Sequence, residues 1–136
     1  MSIANYPLAD ADSTPWWEAL QERELRIQCC TSCHRLRWPA RAVCNACGST
    51  GCQWVSASGS GTVASWTVTH RPTGTFVVVL VRLADQDDIL IPGYIDGPTD
   101  GSGLSIGMPV SLGFDDVEIG KDGWRLVVVR WRRGAD

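Results

Sequence analysis

The sequence predicts a mainly β protein, in which a short N-terminal helix and a metal-binding ribbon precede a small closed β-barrel. Three observations support this prediction: helical spacing of apolar residues after position 14, two Cys-x-x-Cys pairs, and five strand-like segments in the C-terminal half. We expect a lead-in and helix in residues 1–28, the ribbon in 29–53 and the barrel domain in 54–133.

The predicted helix follows a polar lead-in of residues 1–14. Thr14 stands before Pro15, so we expect a threonine N-cap with proline at the first helical position and a helix that runs about to Leu25. Three large side chains fall at helical intervals and form one apolar stripe: Trp16, Trp17 and Leu20. The tryptophans either pack this helix onto the rest of the chain or anchor a partner protein, since tryptophan is enriched at binding hot spots.

Four cysteines form two pairs, with two residues inside each pair and ten between the pairs. The short spacing lets a tight turn direct both sulfurs at one ion, and two turns supply the four thiolates of a closed tetrahedral site. We therefore predict bound Zn2+ with these ligands: Cys30, Cys33, Cys44 and Cys47. Four protein ligands leave no coordination position for a substrate. The spacing alone leaves disulfides or a redox-active dithiol as alternatives.

The residue after each pair often needs a positive φ, which Gly48 adopts freely and His34 less readily. Cys29 and Cys52 are left over, and we expect them to be ordinary buried or free thiols.

The C-terminal half alternates strand-like segments with turns. We predict strands at residues 62–70, 76–83, 89–95, 108–114 and 124–131, a long loop at 97–107 and a charged hairpin region at 115–123. Residues 76–83 are nearly all Val and Leu, which indicates a strand covered on both faces. An OB-like five-stranded barrel is favoured over an open sandwich, because closure removes edges that so small a sheet can hardly protect.

The composition and the net charge exclude several classes of protein. Hydrophobic residues make up 44% of the chain and charged residues 20%, as in a globular protein. The net charge of -3 argues against a surface built for nucleic-acid backbones, which is usually basic. The sequence has no run of 18 apolar residues and no signal-like N-terminus, so we expect a cytoplasmic protein with no membrane association and with reduced cysteines.

Several motifs in combination resemble one known family. They are Trp17-Glu18-Ala19-Leu20, Gln28-x-Cys30-Thr31-Ser32-Cys33, Trp38-Pro39-Ala40-Arg41, Val43-Cys44-Asn45-Ala46-Cys47-Gly48, Gly61-Thr62-Val63 and Gly107-Met108-Pro109-Val110. From about residue 15 to its end the chain resembles the DUF35 family, in which a rubredoxin-like zinc ribbon precedes an OB-fold domain. His34 stands where a glycine is usual, and Trp38 begins a variant of a more common Phe-Pro-Pro-Arg segment.

The resemblance implies a non-catalytic accessory subunit of a thiolase-superfamily enzyme: a thiolase, an acyltransferase or a steroid side-chain aldolase. The partner then carries the catalytic residues, and the small subunit supports it and helps shape the entrance for acyl-CoA. A hetero-oligomer of two plus two chains follows by analogy.

Arginine suits phosphate groups, since its planar fork donates two parallel hydrogen bonds. We expect three arginines to project from the ribbon hairpin, Arg35, Arg37 and Arg41, and four from the barrel, Arg71, Arg130, Arg132 and Arg133. They either form a solvated basic face or contact coenzyme A or the partner, and the candidates for such a contact are Arg35, Arg37, Arg41 and Arg71. Trp38 is a further candidate for a stacking or docking contact.

Two other functions stay open at this stage. Zinc ribbons and OB barrels both occur in nucleic-acid-binding modules, which bind bases on exposed aromatic rings. An independent enzyme or redox protein would need a nucleophile and a base, and His34 and His70 are placed more as surface residues than as catalysts. We expect no catalytic residues.

Overall fold

The computed structural model of the protein describes residues 10–119 and 123–134. The chain forms two compact units, Met1–Ala57 and Ser58–Asp136. The mainly β class with one short helix, a ribbon region and a closed five-stranded barrel is confirmed. The exact division at residues 53 and 54 stays a prediction. Most of the predicted lead-in, residues 1–9, and residues 120–122 of the predicted hairpin region lie outside the described residues.

Helix α1 spans Thr14–Gln21 and is shorter than predicted. Ser13 is its N-cap residue, so the predicted Thr14 cap is wrong; the Thr14 hydroxyl instead donates to the carbonyl oxygen of Asp10, at 2.5 Å. The helix ends early because Arg23 adopts a φ of 59°. The backbone N–H groups of Arg23 and Glu24 then bond to the carbonyls of Leu20 and Ala19, the pattern of a Schellman stop. No helix in the described ranges is long and apolar enough to cross a membrane.

The ribbon sheet has three antiparallel strands in the order β2-β1-β3: β1 Arg26–Cys30, β2 Leu36–Arg37 and β3 Cys52–Ser56. The central strand pairs Gln28 with Arg37 on one side and Cys30 with Cys52 on the other. Between the cysteine pairs only Leu36 and Arg37 of the described residues form a strand. The rest is a loop that contains a cis peptide bond between Trp38 and Pro39.

Within its described residues the barrel unit contains six strands: β4 Ser60–Arg71, β5 Gly74–Leu83, β6 Leu90–Ile95, β7 Pro109–Ser111, β8 Phe114–Ile119 and β9 Trp124–Arg133. Five of them close a ring in the order β4-β5-β6-β9-β7 and back to β4. The β6–β9 pairing is parallel and the other pairings are antiparallel. Strand β8 pairs with β9 and lies outside the ring.

The prediction of one strand at residues 108–114 followed by a charged hairpin region is wrong in detail. The strand breaks at Leu112 and Gly113, and the acidic segment that follows is strand β8. At the break the backbone N–H of Leu112 bonds to the carbonyl of Gly59. A Cβ atom at Gly113 would lie 2.6 Å from the carbonyl oxygen of Arg130, so only glycine permits this close approach.

The barrel core consists of aliphatic side chains from all five ring strands around one tryptophan. Trp131 is fully buried and packs against Gly93, where a Cβ atom would lie 3.0 Å from the indole ring. A bulge between Val63 and Ser65 reverses the alternation of side chains along β4. The long loop after β6 is tied down by Arg133, whose Nε and Nη1 atoms donate to the carbonyl oxygens of Asp96 and Ser102 at 2.7 and 2.8 Å.

Candidate metal centre

The two cysteine pairs lie on turns with the same hydrogen-bond pattern. In the first turn the N–H of Cys30 donates to the carbonyl of Arg35, and the N–H of His34 donates to the carbonyl of Cys30. In the second turn Cys44 and Gly48 take the corresponding places, with Ser49 as the acceptor for Cys44. His34 and Gly48 have φ values of 65° and 79°, as the sequence predicted for the residue after each pair.

These turns bring four sulfur atoms together. The Sγ atoms of Cys30 and Cys47 are 3.6 Å apart, those of Cys33 and Cys44 are 3.7 Å apart, and all four lie within 4.8 Å of one another. A tetrahedron with metal–sulfur distances of about 2.3 Å has edges of about 3.8 Å. The four thiols therefore fit a tetrahedral metal ion with the metal–sulfur distances of zinc.

Backbone N–H groups prepare two of the thiols to ionise. The amides of Cys33 and Ser32 lower the pKa of Cys30 to about 6, and those of Ala46 and Cys47 lower the pKa of Cys44. At Cys47 the Ser49 amide favours the thiolate, but the neighbouring sulfur of Cys30 and desolvation outweigh it and raise the pKa to about 11. Four thiolates this close can all ionise only beside a cation, and a bound Zn2+ would supply that charge.

The two remaining cysteines lie outside this cluster. Cys29 is buried, and its thiol lies 3.6 Å from the carbonyl oxygen of His34. Cys52 is exposed, and its sulfur lies 3.6 Å from the side-chain nitrogen of Gln28. Neither sulfur belongs to the group of four.

A buried clamp ties the loop between the cysteine pairs to the central strand β1. The Oε1 atom of Gln28 accepts from Arg37 Nε at 2.9 Å and from the backbone N–H of Arg41 at 2.8 Å. Gln28 Nε2 and Arg37 Nη2 both donate to the carbonyl oxygen of Arg41, at 3.0 and 3.1 Å. We call this group the Gln28–Arg37 clamp. Sequence reasoning missed it, and the only signal was a glutamine among the apolar residues Ile27, Cys29 and Cys30.

The expected projection of Arg37 from the hairpin is wrong, because its side chain is 4% exposed and belongs to the clamp. Arg35 and Arg41 are exposed, as is Arg71 at the end of β4, whose guanidinium lies 5.6 Å from the ring centre of Phe76. Whether any of these arginines contacts coenzyme A or a partner stays a prediction.

The two helix tryptophans have different positions. Trp16 is 6% exposed and packs against Trp38, with the ring centres 5.4 Å apart, so it holds the helix on the ribbon loop. Trp17 is half-buried and lines a depression of about 250 Å³ together with Trp38 and Pro39. The docking role predicted for the tryptophans is untested, and Trp17 is the more accessible of the two.

A ribbon with four thiols in tetrahedral arrangement, followed by a closed five-stranded barrel, defines a zinc ribbon–OB-fold protein. Two family models match in that order: the "ChsH2, rubredoxin-like zinc ribbon domain" over residues 17–52 and the "ChsH2, C-terminal OB-fold domain" over residues 54–115. The chain belongs to the DUF35 family, as its motifs predicted.

Two solved structures are similar to this chain. One is a chain of the "Ltp2-ChsH2(DUF35) aldolase", with a TM-score of 0.77 and 32% identity over 93% of this chain and 98% of that chain. The other is a DUF35 protein of unknown function from Sulfolobus solfataricus, with a TM-score of 0.64 and 15% identity over 95% of this chain and 90% of that chain. The second likeness shows the fold alone.

Two curated relatives are subunits of hydratases. A probable enoyl-CoA hydratase alpha subunit from Thermomonospora curvata is 36% identical over 111 residues, which cover 78% of this chain and 34% of the relative. The 3-oxo-4,17-pregnadiene-20-carboxyl-CoA hydratase alpha subunit from Mycobacterium tuberculosis is 32% identical over 115 residues, which cover 81% of this chain and 36% of the relative. The chain thus spans about a third of the length of these relatives.

Proposed function

We propose that this chain is a non-catalytic, zinc-binding accessory subunit of a thiolase-like acyl-CoA enzyme, in a cytoplasmic hetero-oligomer of two plus two chains. The partner is a thiolase, an acyltransferase or a steroid side-chain aldolase. The observation that carries the proposal is the closed four-thiol cluster in a chain 32% identical to the DUF35 component of an aldolase complex. The names of the curated relatives add coenzyme A thioesters as the chemical class of substrate.

The arrangement of ionisable groups supports an accessory role. Among the described residues, the four cysteines form the one cluster of three or more groups of the types His, Cys, Asp and Glu suited to a metal. Four sulfur ligands saturate Zn2+, so a metal held there cannot bind and polarise a substrate. Both histidines are exposed, and the Nδ1 atom of His70 forms a hydrogen bond with a threonine hydroxyl, Thr75 Oγ1, at 3.2 Å. The catalytic groups therefore belong to the partner in this proposal.

Zinc acts structurally here. Bound to the four thiolates it would join the two cysteine turns, and together with the Gln28–Arg37 clamp it would hold the loop that carries Trp38 and Arg41. We infer that the ribbon docks on the partner through Trp17 and Trp38, and that the exposed arginines lie towards the nucleotide end of acyl-CoA at a shared entrance. Those arginines are Arg35 and Arg41 on the ribbon, whereas Arg71 on the barrel contacts the partner itself.

The test replaces one of the four proposed zinc ligands and uses a cysteine outside the four-thiol cluster as the control. We expect Cys44→Ser to lose zinc and the thiolase-like partner together, since structural zinc binding and local folding are one equilibrium. Cys52→Ser should keep both, because its sulfur lies outside the cluster. Zinc content, co-purification and activity of the partner in acyl-CoA turnover are the measurements.

Two results would contradict the proposal. One is a Cys44→Ser protein without zinc that still binds its partner with full affinity, which excludes the ribbon as the docking element. The other is turnover of an acyl thioester by the isolated chain, which excludes the non-catalytic role.

A further inference from the structure

The outer face of strands β5 and β6 is apolar, although the outer face of a small barrel is normally polar. Six half-buried side chains point outward there and lie next to one another through the strand register: Phe76, Val78, Leu80, Leu90, Pro92 and Tyr94. We call this surface the β5–β6 outer face.

The neighbouring strand β4 has the polar outer face that is usual for a small barrel. Its residues paired with β5 on the same outer side are Ser65, Thr67 and Thr69, all polar. On β5 the inward valines are 0–3% exposed, so the barrel core covers one face of this strand completely. The apolar sequence of β5 indicates a strand that is covered on both faces. In the structure, however, the outward face of β5 is partly open to solvent.

Arginines surround this apolar surface. Arg71 lies over the ring of Phe76, and Arg82 on β5 donates to the backbone carbonyl of Asp87. Neither arginine forms an ion pair within residues 10–119 and 123–134. A third, Arg130, lies 5.5 Å from the ring centre of Tyr94 but is neutralised by Asp115 at 2.9 Å. Two uncompensated cations therefore border the face, in a chain whose net charge is -3.

The chemistry of the face favours a protein over a nucleic acid. Its centre is aliphatic, and its two aromatic rings meet edge to face, at 77° with centres 5.5 Å apart. Rings in that arrangement do not form a platform on which successive bases stack. An apolar centre with aromatic side chains and arginine at its border is the composition typical of protein interfaces.

We propose that the β5–β6 outer face is a docking surface for the thiolase-like enzyme subunit, whose matching surface is apolar and carries carboxylates opposite Arg71 and Arg82. This inference rests on the proposed function and adds a second docking surface, on the barrel. The partner's acidic border follows from charge complementarity, because the two arginines have no carboxylate partners of their own.

The test uses the full zinc-loaded chain and the thiolase-like subunit that co-purifies with it. Val78→Glu places a charge at the centre of the face, and Arg71→Glu reverses the charge at its border. Arg132→Glu is the matched control, since Arg132 is an exposed arginine on β9 outside this face. Thermal unfolding and zinc content check that each variant is folded.

We expect Val78→Glu to weaken binding roughly tenfold or more, as for a central interface residue. Arg71→Glu should slow association and reduce its dependence on salt, whereas Arg132→Glu should bind as the wild type does. Wild-type affinity in both folded β5–β6 variants would overturn this inference and leave the proposed function intact. Failure of the wild-type chain to bind any thiolase-like subunit would overturn the proposed function itself.

A second copy of this chain or a nucleic acid bound to the β5–β6 outer face would give different results. If the wild-type chain alone is a dimer in sedimentation and Val78→Glu makes it a monomer, the face binds a second copy and the inference is wrong. If the wild type shifts single-stranded DNA at low salt and Phe76→Ala abolishes the shift, the occupant is a nucleic acid and the inference is again wrong.

Discussion

The ribbon unit and the barrel unit are stabilised by different interactions. Among the described residues, the ribbon unit buries three cysteines and both buried polar side chains, Gln28 and Arg37. In the part of the barrel unit that the structure describes, the buried side chains are all hydrophobic, and β4 and β5 run for 12 and 10 residues. The ribbon has strands of five residues or fewer, so metal binding and a hydrogen-bonded clamp replace much of a hydrophobic core.

Metal removal should give the largest contrast between the units. A strong chelator is expected to unfold the ribbon, a loss on the order of 10 kcal/mol, and to leave the barrel folded. Hydrogen exchange should accelerate at the backbone amides of Cys30 and Cys44, in the two cysteine turns, and stay slow in β4 and β5. Equal acceleration in both units would show that zinc supports the whole chain.

A core deletion in the barrel should have the opposite selectivity. Trp131 is fully buried, so Trp131→Ala should destabilise the barrel by about 3–5 kcal/mol. Zinc content should be unchanged, because no cysteine of the cluster belongs to this unit. Chemical denaturation followed by circular dichroism measures the loss, with Trp131→Phe as the milder control. Zinc loss in the alanine variant would contradict independent stabilisation.

The Gln28–Arg37 clamp should stabilise the ribbon by about as much as two charge-assisted hydrogen bonds. Arg37→Ala removes the bonds to Gln28 and to the carbonyl of Arg41, at a cost of about 3–6 kcal/mol to the ribbon. Arg41→Ala is the matched control, since that residue takes part only through its backbone. Competition with a chromogenic chelator should show faster zinc release from Arg37→Ala alone. Equal rates of zinc release from Arg37→Ala and Arg41→Ala would show that the clamp does not stabilise the ribbon.

The smallest expected effect concerns the residue after each cysteine pair. His34→Gly should stabilise the ribbon by about 1 kcal/mol or less, because glycine adopts the positive φ of 65° without strain. Gly48→Ala, at a φ of 79° with no atom within 4 Å of the added Cβ, tests backbone strain alone and should destabilise. Thermal unfolding of the zinc-loaded proteins measures both shifts. Shifts of the same sign would show that side-chain contacts, not φ, decide these positions.

Local patterns predicted most of the fold. The cysteine spacing predicted the four-thiol cluster, and turn chemistry predicted the positive φ at His34 and Gly48. Alternating and apolar runs located the barrel strands, although the fourth was not predicted to break at Leu112 and Gly113. That break depends on the approach of Arg130, which is close in space and distant in sequence.

Side-chain environments were less predictable. Arg37 was expected at the surface, because arginine in a polar segment usually is exposed. Its burial depends on a glutamine from another strand that accepts its hydrogen bond. Helix α1 was predicted too long because its stop uses Arg23, where a glycine would have been a recognisable signal.

The sequence by itself determined the class of fold, the four-thiol site and the family, because spacing and periodicity are properties of neighbours along the chain. Only the tertiary structure decided which arginines are exposed and that the β5–β6 outer face is apolar and bordered by cations. Those properties depend on strand register and ring closure, which bring together residues that no local pattern connects.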